Sequence, residues 1–387
     1  MPAANPTAEL KPSKPYPEFP LFPHATKRWA KKIRGKMHYF GPWDDPDRAL
    51  KAYLENKNDL HAGRTPRRDT SELRVKDLAN AYLLHKQALL DAGELSPRTW
   101  RNAKEATDLL VDQFGKTRLV SDLRQDDFAA LRKWMAKRWG PVRLGDFIQR
   151  IRCVFKFGFD AELMTAPVRF GPGFARPTKK TLRLERVRKG PKMFEADELR
   201  RMVAAARQPL KAMILLGVNC GFGNADCATL PLVAVDVETG WIGYHREKTG
   251  INRRCPLWPE TVEAIREAIE KRPEPNDEDH QGLVFITYKR DTWHKPDDRN
   301  PISAEMRKLL DSLGIDGHRN FYALRHTFET IGGEAKDQVA VDHIMGHARD
   351  DMASVYRERI SDERLKAVAD HVRAWVFGEP AVEAKVG

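Results

Sequence analysis

The chain has 387 residues, with 67 Lys and Arg against 55 Asp and Glu, a formal net charge of +12 and an isoelectric point near 9.5. That length suits two or three domains with separate cores, and the charge favours a polyanionic partner without separating DNA from RNA or anionic lipid. No apolar run is long enough to span a bilayer and the Met1–Asn5 start lacks a signal-peptide core, so a cytoplasmic protein with no membrane partner is expected. Four cysteines, Cys153, Cys220, Cys227 and Cys255, form no Cys-x-x-Cys pair and read as core residues.

In chain order, residues 1–24 hold seven prolines, from Pro2 to Pro23, and read as a tail without regular structure. Residues 25–60 form a small module. Two apolar-basic runs flank Arg34-Gly35 as a β-hairpin carrying Lys31, Lys32, Arg34 and Lys36, and Asp45-Pro46 opens a helix as N-cap and first position. The polar, basic residues 61–71 read as a linker.

Residues 72–170 are helical throughout. Four apolar stripes are carried by Leu78 and Tyr82, by Trp100 and Leu110, by Phe128 and Leu131, and by Ile148 and Ile151. They predict a four-helix bundle with Arg98 and Arg101 on its polar faces. Residues 171–192 combine Gly and Pro with Lys179, Lys180, Arg183 and five further cations against Glu185, which predicts an extended basic linker.

The last domain, 193–377, starts with a helix near Met193, followed by an apolar helix over Ala212–Val218. Trp241–Tyr244 pairs with Arg253–Leu257 in a hairpin, and a closing helix over Ser361–Phe377 is followed by a tail, 378–387. Within it, Tyr322-Ala323-Leu324-Arg325-His326, then Gly346-His347, then Tyr356 bring together residue types suited to phosphodiester chemistry. A guanidinium forks onto phosphate, an imidazole moves protons, and a phenol can act as nucleophile. No carboxylate cluster has metal-nuclease spacing, and His343 with His347 at helical spacing is a weak zinc hint, so neither metal nor other cofactor is expected.

This stretch resembles the catalytic domain of the tyrosine recombinase, or phage integrase, family, whose pattern is His-x-x-Arg, then Gly-His, then a tyrosine nine residues beyond that histidine. The resemblance implies a mainly α, multidomain protein: an arm-type β-hairpin module, a helical core-binding domain and a mixed α/β catalytic domain. It casts Tyr356 as nucleophile, Arg325 as the second phosphate-clamping arginine, His347 as the later histidine and Lys248 as the acid that protonates the leaving 5′ oxygen. It further implies a specific double-stranded DNA site, a homo-tetramer on DNA with a monomer free in solution, and association with the nucleoid. The segment after the nucleophile commonly docks on a neighbouring protomer in this family, and packing on its own domain is the alternative.

Two positions depart from the pattern. Gly223, in Gly221-Phe222-Gly223-Asn224-Ala225-Asp226, stands where the first arginine belongs, with Asp226 in the acidic slot, and Tyr322 replaces the first histidine. Tyr322 can donate to a phosphate oxygen but is a poor base, given a phenol pKa near 10. Arg253, Arg254 and Arg319 are candidate substitutes for the missing cation. Because of the glycine at 223, a DNA-binding or regulatory protein without efficient strand transfer stands as the alternative function. His326, next to Arg325, reads as a buried structural histidine.

Overall fold

In the computed structural model, residues 11–64, 73–246, 250–295, 300–348, 352 and 356–378 are described below. Contacts divide the chain into two compact units, one of residues 1–95, 102–138 and 146–176, the other of 96–101, 139–145 and 177–387. Among the described residues, no helix is long and apolar enough to cross a membrane.

The first unit opens with a three-stranded antiparallel sheet of β1 (Phe22–His24), β2 (Arg28–Ile33) and β3 (Lys36–Pro42), followed by α1 (Pro46–Ala62). The expected hairpin is present, yet the proline-rich stretch is not all tail. Phe19 and Leu21 are buried with Trp29, Ile33, Ala49 and Tyr53, and β1 pairs with β2. Proline is compatible with an edge strand, where its missing N–H faces away from the ladder, and β1 holds Pro23 on such an edge. Asp45 caps α1 through Arg48 N–H at 3.0 Å. Gly63, in the left-handed conformation, closes α1 later than the sequence suggests, inside the expected linker.

Four helices follow: α2 (Val75–Asp91), α3 (Pro97–Phe114), α4 (Gln125–Ala136) and α5 (Pro141–Asp160). Phe128 on α4 lies edge-on to Phe114 of α3 and Phe155 of α5, and within 5.4 Å of Phe174. Phe174 is fully buried, so the first part of the segment expected to be a coreless linker belongs to a core. Its second part is also corrected, because Lys179–Lys189 forms a helix, α6. The Thr178 hydroxyl caps it through Thr181 N–H, and Glu185 pairs with Arg188 and Lys189 one turn on. These local terms offset the repulsion among its cations.

The second unit is built around α8 (Leu210–Asn219), whose every residue but Lys211 is buried. Around it lie α7 (Ala196–Ala205), the short α9 (Asn224–Ala228), α10 (Pro259–Glu270), α11 (Pro301–Ser312), α12 (Ala323–Glu334), α13 (Gln338–Met345) and α14 (Asp362–Phe377). A second antiparallel sheet runs β4 (Val235–Asp236), β5 (Trp241–Arg246), β6 (Ile251–Pro256). Cys220, Cys227 and Cys255 are buried in this core. The closing helix α14 packs on its own domain. Leu365, Val368, Val372 and Val376 are buried there, Trp258 donates to Ala369 O at 2.9 Å, and Arg373 pairs with Glu260. The mainly α architecture with one small β module and one mixed α/β domain is thus the observed one.

Candidate active site

The site forms where α8 ends and α12 and α13 meet the β5–β6 hairpin. Gly221, with φ of 62°, turns the chain after α8. A Cβ there would lie 2.9 Å from Met345 Cγ and 3.1 Å from Phe328 Cδ1, so glycine is required for both conformation and space. That turn aims the Gly221 carbonyl at Arg325, which donates to it through Nη1 and to Met345 O through Nη2 at 2.8 Å. Arg325 is only 2% exposed. Burial first, and next the Arg246 charge, push its pKa down to about 10; Asp226 and Tyr322 oppose them, and Arg253 lowers it further.

Asp226 on α9 is the carboxylate at the centre. Its Oδ2 accepts from Gly223 N–H at 2.6 Å, and its Oδ1 accepts from Arg253 Nη2 at 2.8 Å. Arg246 Nε lies 4.0 Å from the same Oδ1, and Arg246 Nη1 reaches Gly346 O at 3.5 Å. Arg253 is 4% exposed and its guanidinium lies over the rings of Phe222 and Tyr244, at 4.1 and 4.7 Å. Its Nε and Nη1 are buried and have no acceptor among the described residues. Two guanidiniums, those of Arg253 and Arg246, therefore converge on one carboxylate whose charge also reaches Arg325, and Tyr244 Oη donates to the Asp226 carbonyl at 2.9 Å.

His347 follows Gly346, the left-handed residue that ends α13. Its Nδ1 lies 3.5 Å from Asp342 Oδ1 and 3.6 Å from Glu329 Oε2. Burial and Arg325 lower its pKa below the usual imidazole value, while Glu329 and Asp342 work the other way. One ligand atom each from Glu329, Asp342 and His347 lie within 4.8 Å of one another, a geometry that could hold a metal ion. The weak zinc hint is thus displaced, since His343 is not in that group.

Tyr322 is the N-cap of α12, 43% exposed, with its ring edge-on to His326 at 5.4 Å. His326 is exposed, contrary to expectation, because it sits on the outer face of the first turn of α12; its pKa is lowered by partial burial and Lys192. A Cβ built at Gly223 would lie 3.6 Å from the Tyr322 ring and 3.3 Å from Asp226 Oδ2. The two departures from the family pattern are therefore neighbours, and the tyrosine ring fills space beside the missing side chain. Tyr356 is 75% exposed. The residues after it, Arg357 to Ile360, line a cavity of about 330 Å³ together with His347, Asp342 and His343. Lys248 lies outside the described residues.

Of the candidate substitute cations, the structure brings only Arg253 to Arg325. Arg254 points the other way along β6, pairing with Asp362 and lying 3.8 Å over the Trp241 ring. Arg319 is held by Glu198 through two bonds of 2.5 and 2.8 Å, beside Phe194. Among the proposed DNA-facing residues, Lys31 is half-buried over Tyr53 and bonded to Pro20 O, and Arg34 donates to His61 O. Lys32, Lys36, Arg98, Lys179, Lys180 and Arg183 are exposed, and Arg101 is half-buried.

Arg246 was not among the residues expected from sequence. The signal for it is strand alternation: Ile242, Tyr244 and Arg246 share one face of β5, and Arg253 and Cys255 share the inward face of β6.

The domain that holds these residues has known relatives. Residues 192–362 match the model of the phage integrase family, so the second unit carries a domain of that tyrosine recombinase family. No curated protein matches the chain. Among solved structures, a lambda integrase tetramer bound to a Holliday junction aligns with a TM-score of 0.55 at 15% identity, over 89% of this chain and 97% of that one. A lambda integrase dimer bound to a COC′ core site aligns with a TM-score of 0.56 at 15% identity, over 92% and 99%. The Tn1549 transposon integrase in complex with circular intermediate DNA aligns at 0.56 and 14% identity, over 76% and 98%. At such identities the likeness is one of fold.

Proposed function

We propose that this protein is a site-specific recombinase that cleaves and rejoins DNA through a 3′-phosphotyrosine at Tyr356. The family match supports a DNA strand-cleaving and rejoining enzyme in general. The observation that carries the finer reading is the clustering of Arg246 and Arg253 on the single carboxylate of Asp226, with the buried Arg325 tied to Met345 O at the end of the helix that leads into His347. An excess of buried positive charge is costly unless an anion completes it, and a phosphodiester supplies one negative charge and several acceptors.

In this reading Arg325 grips the nonbridging oxygens, with His347 and Tyr322 as further donors. The Tyr356 phenol passes its proton to solvent water as its oxygen bonds to phosphorus. The P–O5′ bond breaks, and Lys248 protonates the departing oxygen. Reversal by a 5′-hydroxyl rejoins strands without ATP, because the phosphotyrosine stores the bond energy. The lambda integrase neighbour is a tetramer on a Holliday junction, and four protomers on two duplexes are proposed here too. The basic module, the bundle and the exposed cations of α6 supply phosphate contacts on the duplex, and the complex resides on the nucleoid.

The test uses a nicked duplex selected from a random pool by the full-length protein. Wild type should form a covalent adduct that survives denaturation, and Tyr356→Phe should form none. An adduct unchanged in Tyr356→Phe sinks the assignment. A wild type that binds the duplex tightly without any adduct favours the regulatory alternative raised by Gly223.

A further inference from the structure

Resting on that reading, we infer that Arg246 does the work an arginine at position 223 would do, gripping the scissile phosphate with Arg325 while Arg253 reinforces the positive field from behind. Three elements meet to make this arrangement: the β5–β6 hairpin, the end of α13 and the start of α9.

Arg246 and Arg325 donate to successive carbonyls, Gly346 O and Met345 O, at the end of α13. Those carbonyls carry the negative end of the helix dipole and hold two guanidiniums side by side, directly before His347. The backbone is shaped for this approach. Gly346 has φ of 64°, and a Cβ there would lie 3.1 Å from Arg246 Cβ and 3.2 Å from its Cδ. Any side chain at 346 would push Arg246 away.

Arg246 and a residue at 223 converge on the same group. A Cβ at 223 would lie 3.3 Å from one oxygen of Asp226, and Arg246 Nε lies 4.0 Å from the other. An arginine at 223 and the arginine at 246 would thus share Asp226 as their anchor, and this chain has only the second. Arg246 is also the loosely tied member of the cluster. Its contacts are 3.5 and 4.0 Å, whereas Arg325 and Arg253 each have a bond of 2.8 Å. A side chain so loosely held, and still 12% exposed, can turn its fork to an incoming phosphate at little cost. Arg253 cannot turn in the same way, being clamped between Asp226 and two rings, yet its two orphaned nitrogens, Nε and Nη1, leave the pocket short of acceptors. A phosphate oxygen supplies what the protein does not.

The experiment uses full-length protein and two probes, the selected nicked duplex and inorganic phosphate. Arg246→Ala should slow adduct formation by about 10²–10³-fold, the usual cost of removing one preorganised donor at an oxyanion, while gel-shift binding of the duplex is retained. Arg246→Lys should fall between. Adding Gly223→Arg to Arg246→Ala should restore at least about tenfold of the rate, because both side chains reach the same oxyanion. Inorganic phosphate, compared with chloride at equal ionic strength, should raise the melting temperature of wild type and leave Arg246→Ala unmoved. Adduct formation in Arg246→Ala at the wild-type rate overturns the inference. A wild type that forms no adduct yet responds to phosphate, with the response abolished in Arg246→Ala, overturns the cleavage reading and keeps the anion site.

Discussion

Replacing Asp226 by Asn removes the charge that pairs with Arg253 and faces Arg246 while keeping the side chain's shape. The Arg253–Asp226 pair is nearly dry, with side chains 2% and 10% exposed and a 2.8 Å bond. Breaking a buried pair by removing one partner costs about 3–5 kcal/mol, because an uncompensated charge remains. Cation–π contact with Phe222 and Tyr244 offsets about 1–2 kcal/mol of the Arg253 share. The charges of Arg246 and Arg325 add to the uncompensated total, so a net destabilisation of about 3 kcal/mol is expected. With a urea slope of roughly 2 kcal/mol/M, the midpoint should fall by about 1.5 M. Since the chain has two units, the transition should be read on α8 amides by pulsed hydrogen exchange rather than on the whole protein. A second variant, Asp226→Leu with Arg253→Met, should recover much of the stability, since removing both partners of a buried pair is often close to neutral. An α8 midpoint unchanged in Asp226→Asn would refute the view that Asp226 is the electrostatic keystone.

Gly346→Ala should cost about 1 kcal/mol from the left-handed conformation alone. It should reduce adduct formation far more than that destabilisation explains, by displacing Arg246; equal small effects on both would count against the packing argument. Stability should fall below neutral pH. His343 and His347 both have pKa values lowered by burial, so the native state binds fewer protons than the unfolded chain. Their contribution is complete above the unfolded histidine value of about 6.5 and is lost as pH falls through the lower folded values. His343→Gln should flatten that acid slope in denaturant melts, and an unchanged slope would show that His343 does not titrate with unfolding.

Much of this arrangement is legible in the chain. Motif spacing locates Arg325, His347 and Tyr356, and helical periodicity finds the helix that carries Arg325 and the one that ends just before His347, because both are local properties. What escapes is tertiary. Gly346 looks like a helix stop, and only the structure shows that its missing side chain makes room for Arg246, a hundred residues earlier in sequence. Arg253 and Arg254 look equivalent in composition, yet strand alternation buries the first against Asp226 and turns the second out to Asp362. The proline-rich start misleads because Phe19 and Leu21, two apolar residues among prolines, gain their burial from strands and a helix that come later in the chain. The charge of α6 likewise hides a helix whose local cap and ion pairs suffice without a core.

The central claim is that Tyr356 becomes covalently joined to a 3′ phosphate. Digesting the trapped adduct and sequencing the modified peptide by mass spectrometry tests it directly. The expected product is a nucleotide attached to Tyr356 through its 3′ phosphate, with a free 5′-hydroxyl on the released strand. Attachment to another residue, or through a 5′ phosphate, would contradict it.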